Sequence, residues 1–425
     1  MRLATVIFPA LLALAAVPQV QAAVSLHVTA TIQERTTQMD VTLADSYMAV
    51  ATPAGRVIYD FKTRRRFAIN TAAGEYVEYS LYDTLGFRVM ELQNRVHLQG
   101  ALATAKVDTP ALNMAVQENE LSLLAGAPAV IDEKADGGTL AFSTGGTRLA
   151  TWSQAGTKVA AADAALFARF MRYAQGGHPQ LLDKLAKSGV IPGHLSFFVS
   201  GDRTLRLEIS AVHTIQPQAY DLTPYKREMS ASGLDAVLDR LAAMTPEQLA
   251  ALRAQYPCDS ASDFSEAQLL DTMLGKLECS LITGTPMVLT EEQKQAVKVS
   301  PSVGLLFAAI NPGKSSEYED ALKTLVALRV QAPRKAYVLK IFEANHRVRM
   351  KQAKEGERLF MEVLQANPVL AGAYKDLGDL LLMQYDSPRA WRCWDTGRRL
   401  APGFQNFEAV NKFEAGMAEQ HPEYF

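Results

Sequence analysis

The chain has 425 residues, with 43 Lys and Arg against 45 Asp and Glu, a formal net charge of −2. That length carries two or three domains with cores of their own, and the balanced charge excludes a protein whose business is neutralising nucleic acid. The three cysteines, Cys258, Cys279 and Cys393, show no spacing that resembles a metal site, so no metal and no cofactor is expected.

The first element is a secretory signal peptide: Arg2, an apolar run from Leu3 to Val17, and the small-residue pattern Val20-Gln21-Ala22, with cleavage expected after Ala22. Pro9 and Pro18 keep the run short of the roughly 20 residues that a membrane span needs. No cysteine follows the cut, which argues against an acylated lipoprotein, and no later stretch predicts a transmembrane anchor. The expected location is periplasmic or secreted.

From residue 23 to about 228 the pattern alternates with period two, predicting a β-rich α+β domain. In "SLHVTATIQ", Leu26, Val28, Ala30 and Ile32 fall on one side, and "QMDVTLAD", "SYMAVA", "RVIYDF" and "RRFAIN" continue an antiparallel meander. The Arg64-Arg65-Arg66 run reads as a solvated hairpin end beyond a tip at Lys62-Thr63, split across two faces, with Asp60 opposite. Next comes a long helix over 80–103, opened by Ser80 and Asp83, with Leu81, Leu85, Val89, Leu92 and Val96 as its apolar stripe and Glu91 and Arg95 as an ion pair on its wet side. Gly145-Gly146 signals a tight hairpin, two short helices fall near 164–174 and 179–187, and Leu205, Leu207, Ile209 and Ala211 mark a last strand face. His213 is expected to be a hydrogen-bonded core histidine.

Beyond Gly233 the period becomes helical. Thr245, Ser265, Thr290 and Ser316 each stand three residues before an acid or amide, the signature of a capped helix start. Residues 229–300 are predicted to be helical hairpins, and 301–425 an all-α array. Cys258 and Cys279, 21 positions apart, would in an oxidising compartment close a loop between two helices and add about 3 kcal/mol; Cys393 reads as a buried thiol.

Pro333, Pro368 and Pro402 are spaced by 35 and 34 residues. Twelve residues before them stand Ala321, Gly356 and Ala390, and eight before them Leu325, Phe360 and Trp394. Small residues let two helices approach and the proline ends the second helix. The pattern resembles the tetratricopeptide repeat in units 302–335, 337–370 and 371–404, with a capping helix after them. The middle unit departs from it, with Lys340 and Glu343 where an aromatic and a leucine are usual. The resemblance implies a concave face formed by the first helix of each unit, presenting Leu306, Ile310, Ile341, Asn345, Val348, Lys375, Asp379 and Leu382 to a protein or peptide partner. Leu306, Ile310 and Ile341 fit a helix core equally well, and Lys375 with Asp379 fits an ordinary surface ion pair. In its order of elements the N-terminal half is similar to the open half-barrels of periplasmic lipoprotein carriers, which implies a lipid ligand among Tyr47, Tyr59, Phe61, Tyr76, Tyr79, Tyr82 and Phe87; an ordinary aromatic core is the competing account.

Recognisable catalytic chemistry is missing. "NPGKSS" lacks the first glycine of a phosphate-binding loop, and there is no nucleophile elbow and no H-E-x-x-H pair. The expectation is an exported, non-catalytic binding or scaffold protein that docks a protein or peptide partner and no nucleic acid; the alternatives are a carrier or sensor of a hydrophobic ligand, or an enzyme assembled from distant residues.

Overall fold

The computed structural model describes residues 23–106, 113–199, 203–216, 218–258, 265 and 268–425. The signal-peptide segment and most of the helix start at Ser265 lie outside the described residues.

The fold is α+β, an antiparallel sheet followed by a run of helices. Six strands come first: β1 (Ala23–Ile32), β2 (Arg35–Leu43), β3 (Tyr47–Thr52), β4 (Gly55–Asp60), β5 (Arg65–Asn70) and β6 (Glu75–Ser80). Helices α1 (Tyr82–Thr104) and α2 (Met114–Leu121) precede β7 (Asp132–Asp136), β8 (Thr139–Thr144), β9 (Thr147–Ser153) and β10 (Gly156–Lys158). Then α3 (Ala161–Phe170) runs into a π turn at Met171–Gln175, and α4 (Pro179–Ala186) leads to β11 (Val190–Pro192), β12 (His194–Val199), β13 (Arg203–Ile215) and β14 (Lys226–Arg227).

Twelve of these strands form one sheet in the order β14-β6-β5-β4-β3-β2-β1-β13-β12-β9-β8-β7, while β10 and β11 pair separately. Two meanders therefore meet where β1 pairs with β13. Alternation does the folding in β1: Val24, Leu26, Val28 and Ala30 are buried, and Ser25, His27 and Thr29 are half-buried. Gly145 and Gly146, at φ 52° and 81°, supply the two left-handed residues that the β8–β9 hairpin turn requires. The alternation expected through Ala211 breaks. Ala211 sits at φ 51° where β13 slips register against Ser25 and His27 of β1, so Ala211 is exposed and Val212 packs on the core. The same bulge leaves His213 on the exposed side of the strand instead of in the core.

The helical part comprises α5 (Gly233–Ala243), α6 (Pro246–Ala254), α7 (Leu269–Thr283), α8 (Glu291–Val299), α9 (Pro301–Ile310), α10 (Tyr318–Gln331), α11 (Ala336–Arg349), α12 (Ala353–Ala366), α13 (Ala371–Met383), α14 (Ser387–Leu400) and α15 (Glu408–Gln420). Thr245 and Thr290 form complete capping boxes with Gln248 and Gln293. Ser316 does not cap: α10 begins at Tyr318 after a 3₁₀ turn, and the Glu317 carboxylate instead accepts from the amides of Gly313 and Lys314. Ser80 also ends a strand where a cap was expected, and the Asp83 carboxylate goes to Arg66 of β5.

Helix pairs α9–α10, α11–α12 and α13–α14 occupy the stretches 302–335, 337–370 and 371–404, each pair beginning within one residue of the expected start. Ala321, Gly356, Ala390, Leu325, Phe360 and Trp394 are all buried between helices. A Cβ on Gly378 would lie 3.0 Å from the Ala390 carbonyl oxygen and closer still to the Trp394 indole, which explains the small residue there. In the irregular middle unit, ion pairs replace apolar packing: Lys340 meets Glu362 at 2.7 Å, and the buried Glu343 meets Arg329 at 3.5 Å.

Two cores hold the sheet. One lies on the side of α1, α3 and α4; the other, built on Tyr47, Ile58, Phe67 and Ile69, is closed by Tyr220, Leu222 and Tyr225 of the strap that follows β13. A third, around Met273, Leu306 and Leu325, belongs to α7, α9, α10 and α11. The first core continues past residue 228 into the helices, taking in Tyr374, Trp391 and Tyr424.

Candidate functional site

The helical array offers the first candidate. Of the residues expected on its concave face, Leu306 and Ile341 are fully buried in helix cores and cannot meet a partner; they lie on the side of α9 and α11 that faces neighbouring helices. Ile310 is partly buried against the third core, and Val348 and Leu382 are partly buried against the first. The polar residues of the set come from α11 and α13 and are half-buried, as Ile310, Val348 and Leu382 are. Asn345 donates from Nδ2 to Oδ2 of Asp376 at 2.7 Å. Lys375 pairs with Asp379 one turn on, and the Trp394 indole N–H bonds Asp379 Oδ1 at 3.2 Å, fixing the pair from below.

Sequence reasoning missed Asp376, the residue between those two turns. Burial pushes its carboxyl up to about 6, and Asp379 adds to the rise, while the bond from Asn345 opposes it. Only its position beside Lys375 on the first helix of the unit could have pointed to it. The neighbouring His346 is buried, its Nε2 is 2.7 Å from the Ala309 carbonyl oxygen, and burial lowers its proton affinity.

The sheet offers the second candidate, and its aromatic residues do not form one pocket. Tyr47 and Tyr76 lie with Phe67 under the strap, Tyr47 and Phe67 against its Tyr220. On the opposite side, Tyr59 and Phe61 pack on Tyr173, Tyr82 on Phe425, and Phe87 on Tyr385. Tyr79 lies under the Arg66 guanidinium. The concavity where a ligand was expected is filled from within. Tyr424 is fully buried against Tyr173, its hydroxyl bonded by Arg88 at 3.2 Å; Tyr173 donates to the Tyr424 carbonyl at 3.0 Å, and Arg169 to the Phe425 carbonyl at 2.9 Å.

Of the three consecutive arginines at the hairpin end, Arg64 is exposed like Lys62 and Thr63, as expected, but Arg65 and Arg66 are not solvated. Arg66 reaches Asp83 of α1 at 2.6 Å, Arg65 pairs with Asp395 of α14 and with Glu78, and Arg64 bonds the Tyr82 hydroxyl. Side-chain exposures of 33% for Arg65 and 19% for Arg66 follow from this use as clamps between sheet and helices. Asp60 is absorbed by its own turn, accepting from the amides of Lys62 and Thr63 and from the Tyr220 hydroxyl.

Cys258 and Cys279 are joined in a disulfide with Cα atoms 5.0 Å apart, and Cys393 is buried. Among the described residues, no group of three or more His, Cys, Asp and Glu side chains is arranged to hold a metal, and no helix is long and apolar enough to cross a membrane. No known family's sequence model matches the chain, and no curated protein matches it.

Proposed function

We propose that the chain is an exported, non-catalytic binding protein whose tetratricopeptide-like helical array docks a peptide segment of a partner protein between α11 and α13. The observation that carries this reading is the half-buried polar row Asn345, Lys375, Asp376 and Asp379 on neighbouring first helices, beside the equally half-buried Val348 and Leu382. Burial destabilises the ionised form of Asp376, and a segment that brings a cationic or amide N–H group to the carboxylate relieves that cost.

The test uses the full chain, because Trp391 and Tyr424 belong to a core shared with the sheet and deleting the array would expose it. Partner recovery from envelope extracts is compared between wild type and an Asn345→Ala, Lys375→Ala variant with unchanged circular dichroism. Loss of the same partner band supports docking there, and undiminished recovery sinks it. A second reading, a carrier of a hydrophobic ligand, draws on the aromatic lining of the concavity but requires Tyr424 and Phe425 to leave it. A lipid retained in native mass spectrometry of the purified chain would favour that reading.

A further inference from the structure

The seam between the sheet edge and α14 carries more arginine than its carboxylates neutralise. A cleft of about 230 Å³ opens there, lined by Arg65, Arg227, Arg392 and Arg399. A second, of about 480 Å³, adjoins it, shares Arg65 and Arg399, and adds Arg64 and Arg398. Against these six arginines the two linings offer four carboxylates, Glu78, Asp239, Asp395 and Glu414. In a chain whose formal net charge is −2, this is a local reversal of sign.

Five of the six are accounted for. Arg65 pairs with Asp395 and Glu78, Arg227 with Glu78 at 2.6 Å, Arg392 with Asp235 and Asp239, and Arg398 with Asp395 and Glu414. Arg64 lies over the rings of Tyr82 and Phe425. Arg399 differs: its two terminal nitrogens donate to the main-chain carbonyls of Leu241 at 3.0 Å and Met244 at 2.8 Å, and no ion pair engages it among the described residues. Those carbonyls hold the guanidinium in place without cancelling its charge, and the fork retains further N–H donors. Burial first, and then repulsion by Arg227, pulls its proton affinity below the ordinary value; Glu78 opposes the shift and Arg65 adds to it. Ion pairing for stability alone gives no reason to add an exposed arginine beside two others.

We infer that this cleft binds a phosphate group, carried either by a free phosphate compound or by a lipid headgroup. Arg64 and Arg399 have no carboxylate partner among the described residues, and guanidinium forks suit the oxygens of a phosphate better than ammonium groups do. The inference stands apart from the α11–α13 groove and does not depend on it.

The experiment is isothermal titration calorimetry on the full chain at low ionic strength. The probes are inorganic phosphate and dihexanoyl phosphatidic acid below its micelle-forming concentration, with acetate as the control anion. Saturable binding of at least one phosphate probe is expected, weakened about tenfold or more in Arg399→Gln. Arg399→Lys, which keeps the charge and loses the fork, is expected to bind with intermediate affinity, and Arg358→Gln, at a surface pair on α12, like wild type. Should Arg399→Gln fail to fold, Arg399→Lys and Arg227→Gln carry the comparison. Binding of phosphatidic acid alone assigns the lipid source, and equal binding of both probes assigns a free phosphate compound. No saturable binding of either phosphate probe at millimolar concentration, equal binding of acetate, or unchanged affinity in well-folded Arg399 and Arg227 variants would overturn the inference.

Discussion

Replacing Gly86 by alanine sets two known effects against each other inside the helix that joins sheet to array. Alanine in a helix interior is favoured over glycine by about 1 kcal/mol, so an unobstructed Gly86→Ala would stabilise α1. The new Cβ, however, would stand 2.9 Å from Cζ3 and 3.1 Å from Cζ2 of Trp391, and closer still to Cη2. Trp391 cannot swing aside: it is fully buried, and its indole N–H is bonded to Glu414 at 2.9 Å. Overpacking of this kind costs about 1–3 kcal/mol, and a rigid, enclosed ring puts it at the upper end. The net expectation is a loss of about 2 kcal/mol, read as a lower urea midpoint in tryptophan fluorescence. Trp391→Leu removes the obstructing ring, so the double variant should lose less than the two single losses added together, by about 1 kcal/mol or more. A Gly86→Ala chain as stable as wild type, or more so, would refute the argument that α1 and α14 are in hard contact.

Asp376→Asn tests the perturbed carboxyl of the array. Because folding raises its value from 3.8 to about 6, the native state favours the proton, so this group's contribution to stability is greatest below pH 4 and is lost as pH rises through 6. The asparagine variant should therefore exceed wild type by on the order of 2 kcal/mol at pH 7.5 and match it near pH 3.5; a pH-independent difference would contradict the assignment. Tyr424→Ala empties the filled concavity and should cost about 3–5 kcal/mol in urea unfolding, whereas a loss under about 1 kcal/mol would show that the ring is not core. Serine at both Cys258 and Cys279 should cost about 3 kcal/mol. Wild type in reductant should show the same fall in melting temperature, and an unchanged melting curve would show that the bridge contributes nothing.

Local chemistry was the legible part. The strands around Leu26–Ala30, the glycine hairpin at 145–146, the capping boxes at Thr245 and Thr290 and the prolines closing three helix pairs are all written within a few residues of one another, where period and turn preference act. What escaped depends on residues far apart. The bulge at Ala211 exists because β13 must match β1, nearly the whole sheet domain away in sequence. Arg65 looked solvated because Asp395 stands 330 positions later. The same holds for the site residues: Leu306 and Ile341 fitted the period of a binding face as well as that of a core, and only the placement of neighbouring helices decides between them. Asp376 gave no signal because its perturbation comes from burial, which no local pattern encodes.

The pairing of β1 with β13 also bears on how the chain reaches this fold. As residues emerge in order, β1 can pair with β2 at once, but its other edge waits for Arg203–Ile215. Through that interval the first meander presents a ten-residue unpaired strand edge, and the core on the side of α1, α3 and α4 is completed only when Trp391 and Tyr424 arrive. Contacts this distant slow folding by loop closure, and open edges invite strands of other chains. Refolding should accordingly be slow and concentration-sensitive, and the vulnerable species should be a chain stopped before residue 203.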